Sequence, residues 1–221
     1  MSTTAILPFP LLPSLAGSAS EPVRSGVPAM AILPDRALLE RVAGGDTDAF
    51  TALYRRYERP VFGVLLRLAG GRRALAEEWL QEAFTRVWLG ASTHDPSRGE
   101  VRPWIYKIAL NTARSELSRK RHRTPHVSLD EAGLDLPDER AGEKRVTARL
   151  DEARRAEAVA VALRELPDFM REVVVLRCSQ ELSFAEIAEV TGAPEGTLKS
   201  RFHRAVAALR EALARGEGGA R

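Results

Sequence analysis

The chain has 221 residues, of which 44% are apolar and 29% charged, and its formal net charge is only +3. This composition is typical of a globular protein and excludes collagen-like and low-complexity chains. No apolar run approaches the roughly 18 residues that a membrane-spanning helix needs, so we expect no membrane insertion. Cys178 is the single cysteine, which excludes an intrachain disulfide, and we expect its thiol to be buried because it follows the apolar run Val173–Leu176.

Nothing in the sequence is typical of a catalytic or cofactor site. The four histidines are scattered, and no cysteine or carboxylate cluster joins them at metal-ligand spacing. A glycine-rich nucleotide loop and a catalytic triad are also missing from the sequence. We therefore predict a protein that is not an enzyme and has no metal and no cofactor.

Residues 1–33 are rich in Pro, Ser, Ala and Gly without periodicity, which predicts a disordered tail. The apolar segment Ile6–Ala16 resembles a signal peptide superficially, but it has no basic leader and contains three prolines. We predict no export signal. Met30, just before the first periodic segment, is a candidate translation start.

Helical periodicity begins at Asp35, a predicted N-cap, and continues from Asp48 to Leu68 until Gly70 and Gly71 end the helix. Further helices are predicted over 74–89 and 101–121, separated by a loop over 90–99. These helices form a first predicted domain, 34–123. The segment from Arg98 to Arg123 contains eight basic residues and only two acidic ones, which gives it a local charge of +6. Such a cluster is typical of nucleic-acid binding, and a solvated charged face is the alternative.

Prolines, glycines and acidic residues without periodicity predict a flexible acidic linker over residues 124–152. The last part of this linker, from Glu143, is a candidate helix start. A second helical domain is predicted over 153–214, followed by a disordered tail over 215–221. The fold class is therefore all-α, with two helical domains joined by a flexible linker.

The second domain contains the best-specified motif. Ser183 and Glu186 have capping-box spacing, and Leu182 and Ile187 occupy the positions of a hydrophobic staple. Gly192 supplies a left-handed helix end, and Pro194 suits the first turn of the next helix. Two helices joined by so short a turn predict a helix-turn-helix.

The second helix of this motif has an apolar side and a polar, basic side. A polar, basic face near a helix N-terminus is suited to the DNA major groove, while a plain helical hairpin with a solvated face is the alternative. The polar and basic residues are Lys199, Ser200, Arg201, His203 and Arg204.

Four blocks of the second domain, in order, resemble region 4 of extracytoplasmic-function (ECF) sigma factors of the sigma-70 family. They begin at Leu163, Arg171, Leu182 and Gly196, and the last reads Gly-Thr-Leu-Lys-Ser-Arg-Phe-His-Arg-Ala. The resemblance implies that the helix from Glu195 reads the −35 promoter element. The implied DNA contacts are Lys199, Ser200, Arg201, His203 and Arg204, with Gly196 and Thr197 letting the helix N-terminus approach a phosphate.

The first domain is similar to sigma region 2, so the resemblance covers about 180 of the 221 residues. Ala76–Trp88 looks like the helix that docks on the clamp of the polymerase β′ subunit, with a polar face of Glu77, Glu78, Gln81 and Glu82. An acidic face suits a protein partner better than phosphate, whereas a solvated face is the alternative. The sequence departs from the family at Leu75, usually aspartate, and at Trp79, usually a smaller aliphatic residue.

Arg102–Arg123 is similar to the helix that recognises the −10 element and opens the strands. We expect Trp104 to be mostly core and Tyr106 to contact single-stranded DNA, and the loop 91–100 to hold a flipped base. The implied contacts are Tyr106, Lys107, Asn111, Arg114, Ser115, Ser118, Arg119 and Arg121.

The sequence therefore predicts a cytoplasmic sigma factor whose partners are core RNA polymerase, promoter DNA and an anti-sigma factor. A helix-turn-helix regulator that binds operators is the second hypothesis, but it leaves the acidic helix and the long basic helix unexplained. A helical adaptor that binds only protein is the third, and the basic faces argue against it.

Overall fold

The structure, a computed structural model, describes residues 30, 32–123 and 143–218. In this part of the chain it contains eight α-helices and no strand, as the all-α prediction requires. Two short 3₁₀ turns, Ala91–Thr93 and Pro96–Arg98, break the loop after the third helix. The helices are α1 Asp35–Ala43, α2 Thr47–Leu68, α3 Arg73–Gly90, α4 Val101–Arg123, α5 Glu143–Glu165, α6 Asp168–Gln180, α7 Phe184–Thr191 and α8 Glu195–Gly218.

The first four helices pack in sequence around an apolar centre. Side-chain capping begins α2, where Asp46 Oδ1 accepts hydrogen bonds from the amides of Asp48 and Ala49 at 2.9 and 3.0 Å. The bond from Ala49 and the guanidinium of Arg41 hold the pKa of Asp46 below its usual value of 3.8. Gly70 and Gly71 end α2 with φ of 68° and 87°, a backbone conformation that favours glycine.

Two local expectations are wrong. Asp35 is the first residue of α1, not its N-cap, which is Pro34; the Asp35 carboxylate instead accepts hydrogen bonds from Arg56 and Tyr57 of α2. Cys178 is exposed because it lies on the outer side of α6, although the preceding residues 173–176 are buried.

Helices α5 to α8 form the second unit, in which α6 and α5 both pack on α8. The capping box at the start of α7 is present: the Ser183 amide donates to Glu186 Oε2 at 2.7 Å, and Glu186 N donates to Ser183 Oγ at 3.2 Å. Leu182 and Ile187 are fully buried, as a hydrophobic staple requires, and Gly192 ends α7 with φ of 76°. The helix-turn-helix prediction is therefore confirmed.

The two units share one continuous hydrophobic core, which runs from Leu38 to Ala205. Helix α7 packs on α4, and α6 packs on α2. Helix α5 begins at Glu143, inside the predicted linker, and α8 continues to Gly218, beyond the predicted domain end at 214. Residues 1–29, 124–142 and 219–221 of the predicted tails and linker lie outside the described residues.

None of the described helices combines the length and apolar character needed to cross a bilayer.

Candidate nucleic-acid and polymerase interfaces

Helix α8 presents the predicted −35 contacts around its first three turns. Leu198 and Ala205 are fully buried and fix the rotation of the helix. The opposite side is open: Gly196, Lys199, Ser200, His203 and Arg204 are exposed, and Thr197 and Arg201 are half-buried. The structure thus brings all seven predicted residues to one end of one helix.

Neighbouring side chains hold several of these groups in place. Arg204 Nη2 donates to Ser200 Oγ at 3.2 Å, so the two polar groups lie together on the exposed face. The Arg201 guanidinium lies over the ring of Phe169, 5.0 Å from its centroid. Lys199 Nζ lies 5.9 Å from the centroid of Phe184. Lys199 Nζ also pairs with Glu195 Oε2 at 3.4 Å. Cation–π attraction draws a cation to the face of a ring, so the two rings hold Arg201 and Lys199 close to the N-terminal end of α8.

The acidic face of α3 lines an open groove of about 600 Å³, which we call the docking groove. Its lining comes from α3 and from the end of α4: Glu78, Trp79, Gln81, Glu82, Thr85, Glu116 and Arg119. Three of the four predicted polymerase contacts therefore lie together. The fourth, Glu77, is half-buried and pairs with Arg73 at 2.9 Å on the same helix.

Helix α4 is hydrogen-bonded to the acidic side of the docking groove through Arg86. Arg86 Nε donates to Glu82 Oε1 at 2.9 Å, and Arg86 Nη1 reaches Thr112 Oγ1 on α4 at 3.3 Å. Thr112 is completely buried. The acidic face is consequently anchored to the basic helix, a connection that helical spacing alone does not reveal.

The predicted −10 contacts on α4 do not share one environment. Four of them form an exposed row at helical spacing, which we call the polar stripe: Lys107, Asn111, Ser115 and Ser118. Arg119 is also exposed but lies in the docking groove beside Glu116. Arg121 belongs to α4 by its backbone, and its side chain lies outside the described part of the chain.

Tyr106 and Arg114 instead contact the second unit. Tyr106 is 2% exposed, its hydroxyl lies 2.5 Å from Gln180 Oε1, and burial raises its pKa to about 12. The Arg114 guanidinium donates to both carboxylate oxygens of Glu172, at 2.9 and 2.7 Å. That hydrogen bonding raises the pKa of Arg114. In this arrangement Tyr106 is covered, whereas the Arg114 side chain is 40% exposed and has its guanidinium paired with Glu172. The DNA contacts assigned to both residues stay predictions.

A half-buried ring pair joins the loop between α3 and α4 to the first turn of α4. His94 meets Trp104 edge-on, with ring centroids 5.1 Å apart. Burial lowers the pKa of His94 below its usual 6.5. Trp104 is half-buried, which fits its expected role as mostly core. Among the described residues, no group of three or more His, Cys, Asp or Glu side chains is placed to hold a metal ion.

Sequence reasoning missed Glu172, Gln180 and Phe169. Each lies on α6, and each acts on a residue more than thirty positions away in the sequence. Local patterns carry no information about such contacts. A carboxylate in the mostly apolar run 172–176 is the one signal that could have drawn attention to Glu172.

Comparison with known proteins gives a consistent result. Residues 53–123 match the family model described as Sigma-70 region 2, and residues 156–209 match the one described as Sigma-70, region 4. The ECF RNA polymerase sigma-E factor of Haemophilus influenzae is 31% identical over 178 residues, covering 78% of this chain and 92% of the relative. The ECF RNA polymerase sigma factor SigW of Bacillus subtilis is 30% identical, covering 79% and 94%.

Solved structures have the same fold. CnrH, in complex with the cytosolic domain of CnrY, has a TM-score of 0.60 and 27% identity, and the match covers 82% of this chain and 97% of CnrH. The sigma factor RpoE of Bartonella quintana, in complex with the anti-sigma factor NepR, has a TM-score of 0.59 at 21% identity, covering 73% and 94%. With both sigma regions matched in order and relatives of 31% and 30% identity matched over more than nine-tenths of their length, the chain belongs to the ECF sigma factors of the sigma-70 family, initiation factors that direct RNA polymerase to promoters.

Proposed function

We propose a specific division of labour between the two domains, set at 34–123 and 153–214. Helix α8 reads the −35 element, the polar stripe of α4 with Tyr106 and Arg114 binds the −10 element, and the docking groove binds the clamp of the β′ subunit. Duplex opening then comes from capture of unpaired bases and not from catalysis, so the protein needs no cofactor. It works in the cytoplasm, and an anti-sigma factor regulates it.

One observation carries this proposal: the chain presents exposed faces of opposite character on two separate helices. The exposed row on α8 contains Lys199 and Arg204, which suits phosphate and base edges. The docking groove on α3 contains Glu78 and Glu82, which phosphate would repel. A helix-turn-helix regulator that binds only DNA has no use for the second face.

A run-off transcription assay tests the proposal as a whole. We expect core RNA polymerase with this protein to start transcripts at defined positions on genomic DNA, and core polymerase alone to start none there. Binding of duplex DNA without such transcripts would instead establish an operator-binding regulator.

Gly196→Ala tests the role of the α8 N-terminus. A Cβ at Gly196 meets no atom within 4 Å, so alanine fits and stabilises the helix by about 0.5–1 kcal/mol. If the α8 N-terminus approaches a phosphate, the added methyl group blocks that hydrogen bond, worth about 1 kcal/mol, and weakens binding to a mapped −35 duplex about fivefold. Thermal unfolding and fluorescence anisotropy measure the two effects.

Gly63→Ala is the matched control. Gly63 lies inside α2, where Arg67 Nη1 lies 3.2 Å from the added Cβ and donates to the Gly63 carbonyl oxygen at 2.8 Å, so the guanidinium must shift slightly. We expect a smaller gain in stability and unchanged DNA affinity. Equal DNA affinity of Gly196→Ala and wild type would show that this helix end does not approach the DNA.

A further inference from the structure

Two aromatic rings border the exposed face of α8. The Lys199 ammonium lies 5.9 Å from the ring centroid of Phe184 on α7, and the Arg201 guanidinium lies 5.0 Å from that of Phe169 on α6. Each residue of an α-helix is turned by about 100° from the one before it, so positions 199 and 201 point to opposite sides at nearly the same height. The exposed Ser200 lies between them. One held cation therefore stands on each side of the exposed face.

Arg201 lacks the counter-charge that Lys199 has. Lys199 Nζ pairs with Glu195 Oε2 at 3.4 Å. In the part of the chain that the structure describes, no carboxylate lies within ion-pair distance of Arg201, whose guanidinium contacts the ring of Phe169. A helix with its side chains is about 10–12 Å across and the major groove is about 12 Å wide, so the two sides of a helix in the groove face the two phosphate backbones. In this geometry a phosphate supplies the counter-charge of Arg201.

The backbone of Phe169 is fixed at the start of α6. Arg171 donates from Nε to the carbonyl oxygen of Leu163 at 2.7 Å and from Nη2 to that of Leu166 at 2.7 Å, which joins the end of α5 and the turn after it to α6. The Arg171 amide donates to the carbonyl oxygen of Pro167 at 3.0 Å. The Phe169 side chain is nevertheless 43% exposed. A fixed backbone that carries a partly exposed ring suits the holding of a cation better than it suits a place in the core.

We propose that Phe169 is a positioning residue for promoter binding, whose ring holds the Arg201 guanidinium at the side of α8 toward a phosphate next to the −35 element. The proposal rests on the assignment of α8 as the helix that reads this element. A free arginine side chain loses rotamer freedom when it binds phosphate, and one already held on a ring loses less. Because phosphate contacts carry no base information, the ring adds affinity and not base preference.

Phe169→Leu in the full chain tests the role of the ring. Leucine keeps an apolar side chain but offers no aromatic face to the guanidinium. We expect the affinity for a mapped −35 duplex to fall about two- to fivefold, the range that corresponds to an exposed cation–π contact. Phe169→Tyr keeps the aromatic face and should bind the duplex as wild type does. Fluorescence anisotropy measures the affinities, and thermal unfolding checks that both variants are folded.

Arg201→Ala distinguishes positioning from packing. Alone, this change should reduce the slope of log affinity against log salt concentration by about one, because one phosphate contact is lost. Added to Arg201→Ala, Phe169→Leu should lower the affinity no further, since the ring then has no guanidinium to hold. Losses that simply add would mean that Phe169 acts independently of Arg201, and the proposal would be wrong.

Base preference gives a second readout that a loss of packing would not predict. The loss of affinity in Phe169→Leu should be the same on the mapped duplex and on duplexes with single base-pair changes in the −35 element. A loss that depends on the base pair would place the ring in base reading and would overturn the proposal.

Val161→Ala is the matched control, because Val161 is an apolar side chain of the same domain with a similar exposure of 41%. We expect wild-type affinity and salt dependence. Wild-type affinity of Phe169→Leu would overturn the proposal. If Phe169→Leu is unfolded, Phe169→Met replaces it in the same comparison with Arg201→Ala, since methionine adapts to irregular spaces.

Failure of the assignment of α8 has a different signature. Arg201→Ala and Ser200→Ala would then both leave the affinity for the −35 duplex unchanged, and the role of Phe169 would fall with that assignment. If only the role of Phe169 is wrong, Arg201→Ala still weakens binding, whereas Phe169→Leu has no effect or one that simply adds.

Discussion

Reversing Glu78 and Glu82 to lysine should weaken binding to core RNA polymerase at least about tenfold, since like charges opposed across an interface cost several kcal/mol. Both side chains are exposed and line the docking groove. The reversals leave the apolar side of α3 intact, where Leu80 and Phe84 are fully buried, although lysine at position 82 loses the pair with Arg86. A binding titration of fluorescent protein with core polymerase measures the effect.

Glu40→Lys combined with Asp48→Lys is the control for this experiment. Both residues are exposed in the first domain, outside the docking groove, and the change in net charge is the same. We expect near wild-type affinity for core polymerase. Equal loss in the two double variants would trace the effect to overall charge, and no loss in either would exclude α3 as the docking helix.

The reversal also separates the two interfaces. Helix α8 does not touch the docking groove, so the double variant should bind a −35 duplex as well as wild type does. Its transcription should fall along with core binding and recover at high protein concentration. This pattern distinguishes a polymerase subunit from a regulator, whose transcriptional effect would follow DNA affinity alone.

Local sequence signals predicted the elements well. The capping box at Ser183 and Glu186, the helix stop at Gly70 and the left-handed helix end at Gly192 each depend on residues within one helical turn. Apolar periodicity also oriented α8 correctly, with Leu198 inside and Ser200 outside. These features depend on short-range geometry, which the sequence specifies directly.

Contacts between distant segments were not predictable in the same way. Cys178 follows an apolar run and was expected to be buried, yet its position on the outer side of α6 exposes it. The sequence alone predicted that Tyr106 and Arg114 contact DNA. In the structure the second domain covers Tyr106, and its Glu172 pairs with Arg114. Only the packing of α6 and α7 on the first domain determines these outcomes.

Trp79→Ala should cost the first domain about 3–5 kcal/mol, because it removes the largest fully buried side chain and leaves a cavity. Single domains are usually stable by about 5–15 kcal/mol, so the loss is a large fraction of the total. Urea unfolding followed by tryptophan fluorescence measures it, since Trp88 and Trp104 remain in the first domain as probes.

Leu89→Ala on the same helix is the control. Leu89 is 69% exposed, and its truncation should change the stability by no more than about 0.5 kcal/mol. A similar small effect for Trp79→Ala would contradict its position in the core.

Trp79→Phe refines this test through the indole nitrogen. Nε1 of Trp79 is buried and has no hydrogen-bond partner among the described residues. Burying an unpaired N–H costs about 1–3 kcal/mol, and phenylalanine removes that cost while keeping most of the ring. We therefore expect Trp79→Phe to be clearly more stable than Trp79→Ala. Because Trp79 is fully buried beneath Glu78 and Glu82 of the docking groove, the alanine variant should displace these two side chains and weaken core binding too, whereas the phenylalanine variant should largely retain it.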